Sequence, residues 1–167
     1  MAAFYCLTLV LRFFSSLNLT NYGDLETGSV KLNFGRVFLV SAEHNSDIVK
    51  FVTDFAKKQE IKTATFTAIG ALKSAKLGFY DQHKHEYSEH ILSASQEIAS
   101  CIGNVSIKEG KPFVHAHAVL GDENGNVKAG HLLEGKVFAA EVHLVELLGE
   151  KIERKSDDET GLFLWEI

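Results

Sequence analysis

Three histidines have the residue types and spacing of a metal site. His115 and His117 stand in Val114-His115-Ala116-His117-Ala118, and His131 in Gly130-His131-Leu132. Side chains in a strand alternate between faces, so His115 and His117 project from one face. The segment Gly121-Asp122-Glu123-Asn124-Gly125-Asn126 reads as a turn between two strands. A hairpin centred on Asn124 sets His131 directly opposite His117, with His115 on the diagonal. Opposed pairs hold their Cβ atoms about 4.5–5.5 Å apart and diagonal pairs about 7–8 Å. Three imidazoles so placed can converge on one ion at Zn–N distances of about 2.0–2.1 Å. A register slip of one residue would turn His131 to the other face and destroy the site.

Three neutral nitrogens without a fourth protein ligand suit Zn, or another borderline ion such as Ni or Co. An open fourth position is the catalytic rather than the structural pattern. A His-x-His pair can also be two surface histidines; the flanking alanines, Gly130 and the well-placed third ring favour the metal. His83, His85 and His90 fall in a polar stretch and read as a solvated loop or rim, while His44 and His143 carry no spacing signal. Two carboxylates are candidates for proton transfer. Glu141 interrupts the apolar run Val137-Phe138-Ala139-Ala140-Glu141-Val142-His143-Leu144, where a buried carboxylate needs a cation or a partner. Glu97 opens a strand and is the second candidate. For both, an ion pair or an edge position is the competing reading.

These residues need a scaffold, and the sequence predicts an α+β fold. Asn45 or Ser46 can cap a helix over about 46–59, with Asp47 in its first turn. Ile48, Phe51, Val52, Phe55 and Ala56 form its buried stripe and leave Lys50, Lys57 and Lys58 to water. Runs 30–40, 63–69, 75–80, 86–92, 97–107, 111–120, 127–133 and 136–148 read as strands. Their short spacing implies a strongly curved, mainly antiparallel sheet packed on that one principal helix. Residues 151–160 read as a charged, solvated connector, and 161–167 as a possible terminal edge strand.

The chain has 167 residues, 46% hydrophobic and 23% charged, which fits one globular domain with a single core. Its net charge of −5 offers no global positive field for nucleic acid, although a local patch could survive that total. Cys6 and Cys101 form no CxxC motif; Cys101 reads as a small buried hydrophobe, and the cytosol is the default compartment. Asn18-Leu19-Thr20 and Asn104-Val105-Ser106 match the glycosylation pattern but mean little without a secretory context. Residues 1–29 read as a poorly ordered leader, too short in its apolar run to span a membrane and without a charged start or clear cleavage site. The domain is expected over 30–148.

Several segments together resemble a known family. They are Gly35-Arg36-Val37-Phe38, Ile69-Gly70-Ala71-Leu72, Glu97-Ile98-Ala99-Ser100 leading to Gly103-Asn104-Val105, Gly110-Lys111-Pro112-Phe113-Val114-His115-Ala116-His117, and Ala129-Gly130-His131-Leu132-Leu133-Glu134-Gly135. They are similar to the PPC ("plants and prokaryotes conserved") domain in its stand-alone prokaryotic form. The resemblance implies an α+β fold shared with acetolactate decarboxylases, a homotrimer, and a metal held by His115, His117 and His131. It also brings the label of candidate DNA-binding protein. That label derives largely from plant relatives with AT-hook segments, and this chain has no Arg-Gly-Arg-Pro; its one proline is Pro112. Two functions follow as expectations: a trimeric metal-binding protein of regulatory or DNA-associated role, or a metal-dependent, lyase-like enzyme acting on a small oxo-acid. A ligand-sensing module without turnover is the third reading.

Overall fold

Asp47 starts the one helix of the described residues. The computed structural model describes residues 28–167, so the expected leader and Cys6 lie almost wholly outside it. Asp47 Oδ1 accepts the Lys50 backbone N–H at 2.8 Å, opening helix α1 (Ile48–Lys58). The expected caps do other work: Ser46 Oγ donates back to Glu43 O at 2.6 Å, and Asn45 adopts a positive φ of 67° in the turn. Asp47 Oδ2 accepts the Gly135 N–H at 2.7 Å, so one carboxylate both caps the helix and ties it to the sheet. Ile48, Val52 and Ala56 are buried beneath α1, with Phe51 and Phe55 packed at its margin.

The strands are β1 (Asn33–Ala42), β2 (Ala64–Asp81), β3 (Glu86–Leu92), β4 (Gln96–Lys108), β5 (Lys111–Gly121), β6 (Val127–Leu148), β7 (Glu153–Ser156) and β8 (Phe163–Glu166). They form one sheet in the order β3-β2-β6-β5-β4-β7-β8, with β1 beside β6. Because β2 also pairs with β4, the path β2-β6-β5-β4 closes on itself. All pairings are antiparallel except β4 with β7. The architecture is therefore the expected α+β, one helix on a curved and mainly antiparallel sheet.

Two expected breaks are absent. The runs 63–69 and 75–80 are one strand, as are 127–133 and 136–148. Register shifts replace the turns: β2 slips against β4 between Ala68 and Gly70, and against β6 at three further places. An extra residue on one strand bends it and increases its twist, so these bulges curl two long strands far enough to close the path. Gly70 takes φ +132°, and a Cβ there would stand 2.2 Å from Ala139 O.

One face of the curl is the core. Phe66, Ala68, Cys101, Ala116, Ala118, Val142 and Leu144 are all buried on it. The alternate residues face outward, among them Leu39, Thr67, Ile69, Ile102, Glu141 and His143. The charged stretch 151–160 is not a free connector. Ile152 and Arg154 alternate inward there and are buried, and Ile152 O accepts the Ile107 N–H at 2.8 Å. Strand β7 then runs parallel to β4, and β8 folds back on β7.

Candidate metal centre

Strands β5 and β6 form the hairpin that carries the three rings. Its register pairs His117 with His131 and continues without a shift to Gly121 with Val127. Asp122 anchors the turn, its Oδ1 accepting the backbone N–H groups of Asn124 and Asn126 at 2.9 Å each. The ring centroids lie 5.2 Å apart for His115–His117, 5.0 Å for His115–His131 and 5.5 Å for His117–His131. Each ring offers a nitrogen within 4.8 Å of the other two, so the group could hold a metal ion. Gly103 keeps the adjoining backbone close: a Cβ there would stand 2.5 Å from Phe66 Cε1 and 2.6 Å from His115 O.

The electrostatics favour neutral rings at His115 and His131. Burial, followed by the nearby His131, Arg154 and His117, pushes the His115 ring down to about 4. Burial also lowers His131, helped by His117 and Arg154. A neutral imidazole keeps the lone pair that an ion takes. His131 Nδ1 is buried and has no hydrogen-bond partner among the described residues. Such an orphaned atom costs about 1–3 kcal/mol, and the cluster in which it stands is polar on every ring. The donor set fits a borderline divalent cation.

A pH dependence follows for chelator-treated protein. The unfolded chain protonates His115 near pH 6.5, while the folded chain resists protonation down to about 4. Between those values the unfolded state binds more protons, so stability falls as pH falls through that window and is fully present above it. The expected slope reaches about 1.4 kcal/mol per pH unit for this one group. Urea denaturation at pH 7, 6 and 5 would measure it, and a His115→Gln variant should flatten the curve.

The two carboxylates do not join the rings. Glu141 is exposed on β6 opposite Ile69 and Ser41 and is not among the residues whose ligand atoms gather with the three rings. Its apolar run has only one buried face, with Val137, Ala140, Val142 and Leu144 inward and Glu141 with His143 outward. Glu97 is exposed opposite Gly121, about 13 Å along β5 from His117. Of the other histidines, His83, His85 and His90 are exposed, and His44 Nδ1 meets Phe138 O at 2.7 Å. Cys101 is buried in the core, where burial pushes its thiol up to about 11.

The residue missed in the sequence is Arg154. It comes from β7 and is buried against the rings, with NH2 3.4 Å from His115 Nδ1. Its signal was the alternation Ile152-Glu153-Arg154, which is easily read as part of a charged surface.

Residues 30–148 match the Plants and Prokaryotes Conserved (PCC) domain. The chain belongs to the PCC family. A PCC relative of solved structure, the plant- and prokaryote-conserved protein of Pyrococcus horikoshii, is 45% identical with a TM-score of 0.81, covering 84% of this chain and 98% of that one. A metal-containing protein of Archaeoglobus fulgidus is 42% identical with a TM-score of 0.82, covering 84% of this chain and 100% of that one. A candidate DNA-binding protein of Bacteroides thetaiotaomicron is 25% identical with a TM-score of 0.74, covering 81% and 96%. The bifunctional protein GlmU of Synechococcus sp. (strain JA-3-3Ab) is 29% identical over 140 residues, and this PCC chain spans 20% of its length. The segment that supplies Arg154 lies beyond the matched PCC residues.

Proposed function

We propose that this PCC-domain protein is a homotrimer that holds zinc through His115, His117 and His131 and works in the cytosol. The observation carrying the metal is the convergence of three imidazoles, two of them, His115 and His131, lowered in basicity by burial and His131 with an orphaned buried nitrogen. The metal-containing relative from Archaeoglobus fulgidus supports the same reading. With three protein ligands the ion keeps an open position, where it would act as a Lewis acid or polarise water.

Support for assembly comes from the outer face. Leu39 is 82% exposed, Ile69 57% and Ile102 60%, on strands β1, β2 and β4. A single cross-strand row runs Leu39–His143–Thr67–Ile102–His117–His131 around the sheet. Large exposed apolar side chains mark interaction sites where they gather, and the row that holds Leu39 and Ile102 leads to the rings. Direct DNA binding draws on the relatives' label alone and is opposed by the net charge of −5. The lyase-like alternative is favoured by a cavity of about 300 Å³ that His115 and His131 help to line.

The test uses protein purified without a histidine tag. Anomalous scattering and elemental analysis should find about one zinc per chain, and light scattering should give the mass of three chains. Wild-type protein that retains no ion, or that remains a monomer, would overturn the corresponding half of the proposal. Gel shifts across salt concentrations check the DNA label, because phosphate-driven binding weakens steeply with salt. Carbon dioxide release from small oxo-acids by the zinc-loaded protein checks the lyase.

A further inference from the structure

Arg154 is 8% exposed, and among the described residues no carboxylate lies within ion-pair distance of it. Its partners are all neutral. Nε donates to Ser106 Oγ at 2.8 Å, NH1 to Phe163 O at 2.9 Å and NH2 to Asn104 Oδ1 at 3.0 Å. A buried guanidinium without a counter-ion is expensive, and proteins normally pair or expose it. Arg154 instead lines the 300 Å³ cavity together with His115, His131 and Lys108. Lys108 Nζ lies 3.4 Å from the centroid of the Phe163 ring, and it too has no carboxylate partner among the described residues. Among the described residues no Asp or Glu lines that cavity, on a chain whose net charge is −5. Its remaining walls include Tyr80 and Phe113.

We propose that this cavity binds a small organic carboxylate, its head group on Arg154 and its apolar body against the aromatic walls. The planar fork of an arginine suits a carboxylate, and removal from water strengthens the attraction. The contact to His115 Nδ1, at 3.4 Å, is the longest of the four Arg154 makes. A guanidinium only donates, so a His115 that offers Nε2 to an ion carries its proton on Nδ1 and turns that N–H of Arg154 outward. The inference rests on the reading of the three rings as a metal centre for the anion's neighbour, but the charge of the cavity stands without it. It also gives the segment beyond the matched PCC residues a role, supplying the anion's main cationic contact.

Calorimetric titration with benzoate, and with its uncharged counterpart benzamide, tests the proposal on zinc-loaded and on chelator-treated protein. Benzoate should bind the zinc-loaded wild type at least tenfold more tightly than benzamide does. Arg154→Gln should lose at least tenfold in benzoate affinity with its zinc content unchanged, and Arg154→Lys should recover part of that loss. Benzoate and benzamide binding wild type within twofold of each other would overturn the proposal, as would Arg154→Gln binding benzoate like wild type. Should Arg154→Gln fail to fold, the benzoate-to-benzamide ratio in chelator-treated wild type, where no ion can take the carboxylate, decides instead. Absence of zinc from wild type would sink the metal reading instead, and charge selectivity in chelator-treated protein would then judge Arg154 separately.

Discussion

His131→Ala should empty the metal centre while leaving the fold intact. The ring stands on β6 directly across from His117 and within contact of both other imidazoles, and among the described residues no other His, Cys, Asp or Glu joins the group. Structural zinc sites are worth about 10–16 kcal/mol for four ligands, so losing one of three ligands should cost roughly 3–4 kcal/mol, a hundredfold to a thousandfold in Kd. The rings lie off the face that buries Ala116, Ala118 and Leu132, so the metal-free variant should unfold within about 1 kcal/mol of metal-free wild type. Competition with a chromophoric chelator measures the first quantity and urea denaturation the second. His90→Ala, exposed on β3, serves as the control and should keep the ion. A zinc Kd for His131→Ala within threefold of wild type would remove the third ligand from the centre.

Gly70→Ala attacks the scaffold rather than the site. The new Cβ would stand 2.2 Å from Ala139 O and 2.8 Å from Ala140 Cα, both backbone atoms of the neighbouring strand, at φ +132°. Backbone strain of about 1–3 kcal/mol and overpacking of about 1–3 kcal/mol combine to an expected loss of roughly 2–6 kcal/mol. Gly110→Ala separates the two causes. Its φ is +75°, yet nothing lies within 4 Å of the added carbon, so it should lose about 1 kcal/mol. Equal losses from the two substitutions in chemical denaturation would mean that β2 and β6 can part at Gly70 without consequence.

The parts of the structure legible in the sequence are those governed by local rules. The apolar stripe from Ile48 to Ala56 predicts α1, and the Gly121–Asn126 turn is enough to set His131 across from His117. What was not legible depends on partners distant in the chain. The gaps 70–74 and 134–135 look like breaks between strands, because nothing local shows that β2 and β6 support each other through them. Glu141 looks buried until one face of β6 is known to be open. Arg154 looks solvated until Ile107 and Ile152 join β7 to the sheet and carry it beneath Asn104 and Ser106.

The uninterrupted pairing between Gly121 and His117 on one side, and Val127 and His131 on the other, has a consequence for chain-length changes. Residues added within Asp122–Asn126 can be looped out, and homologous sequences should tolerate such insertions freely. One residue lost between Ala118 and Leu120, or between Lys128 and Gly130, reverses the direction of an imidazole. Deletions of odd size in those two short segments should therefore be purged, even though no side chain there touches an ion.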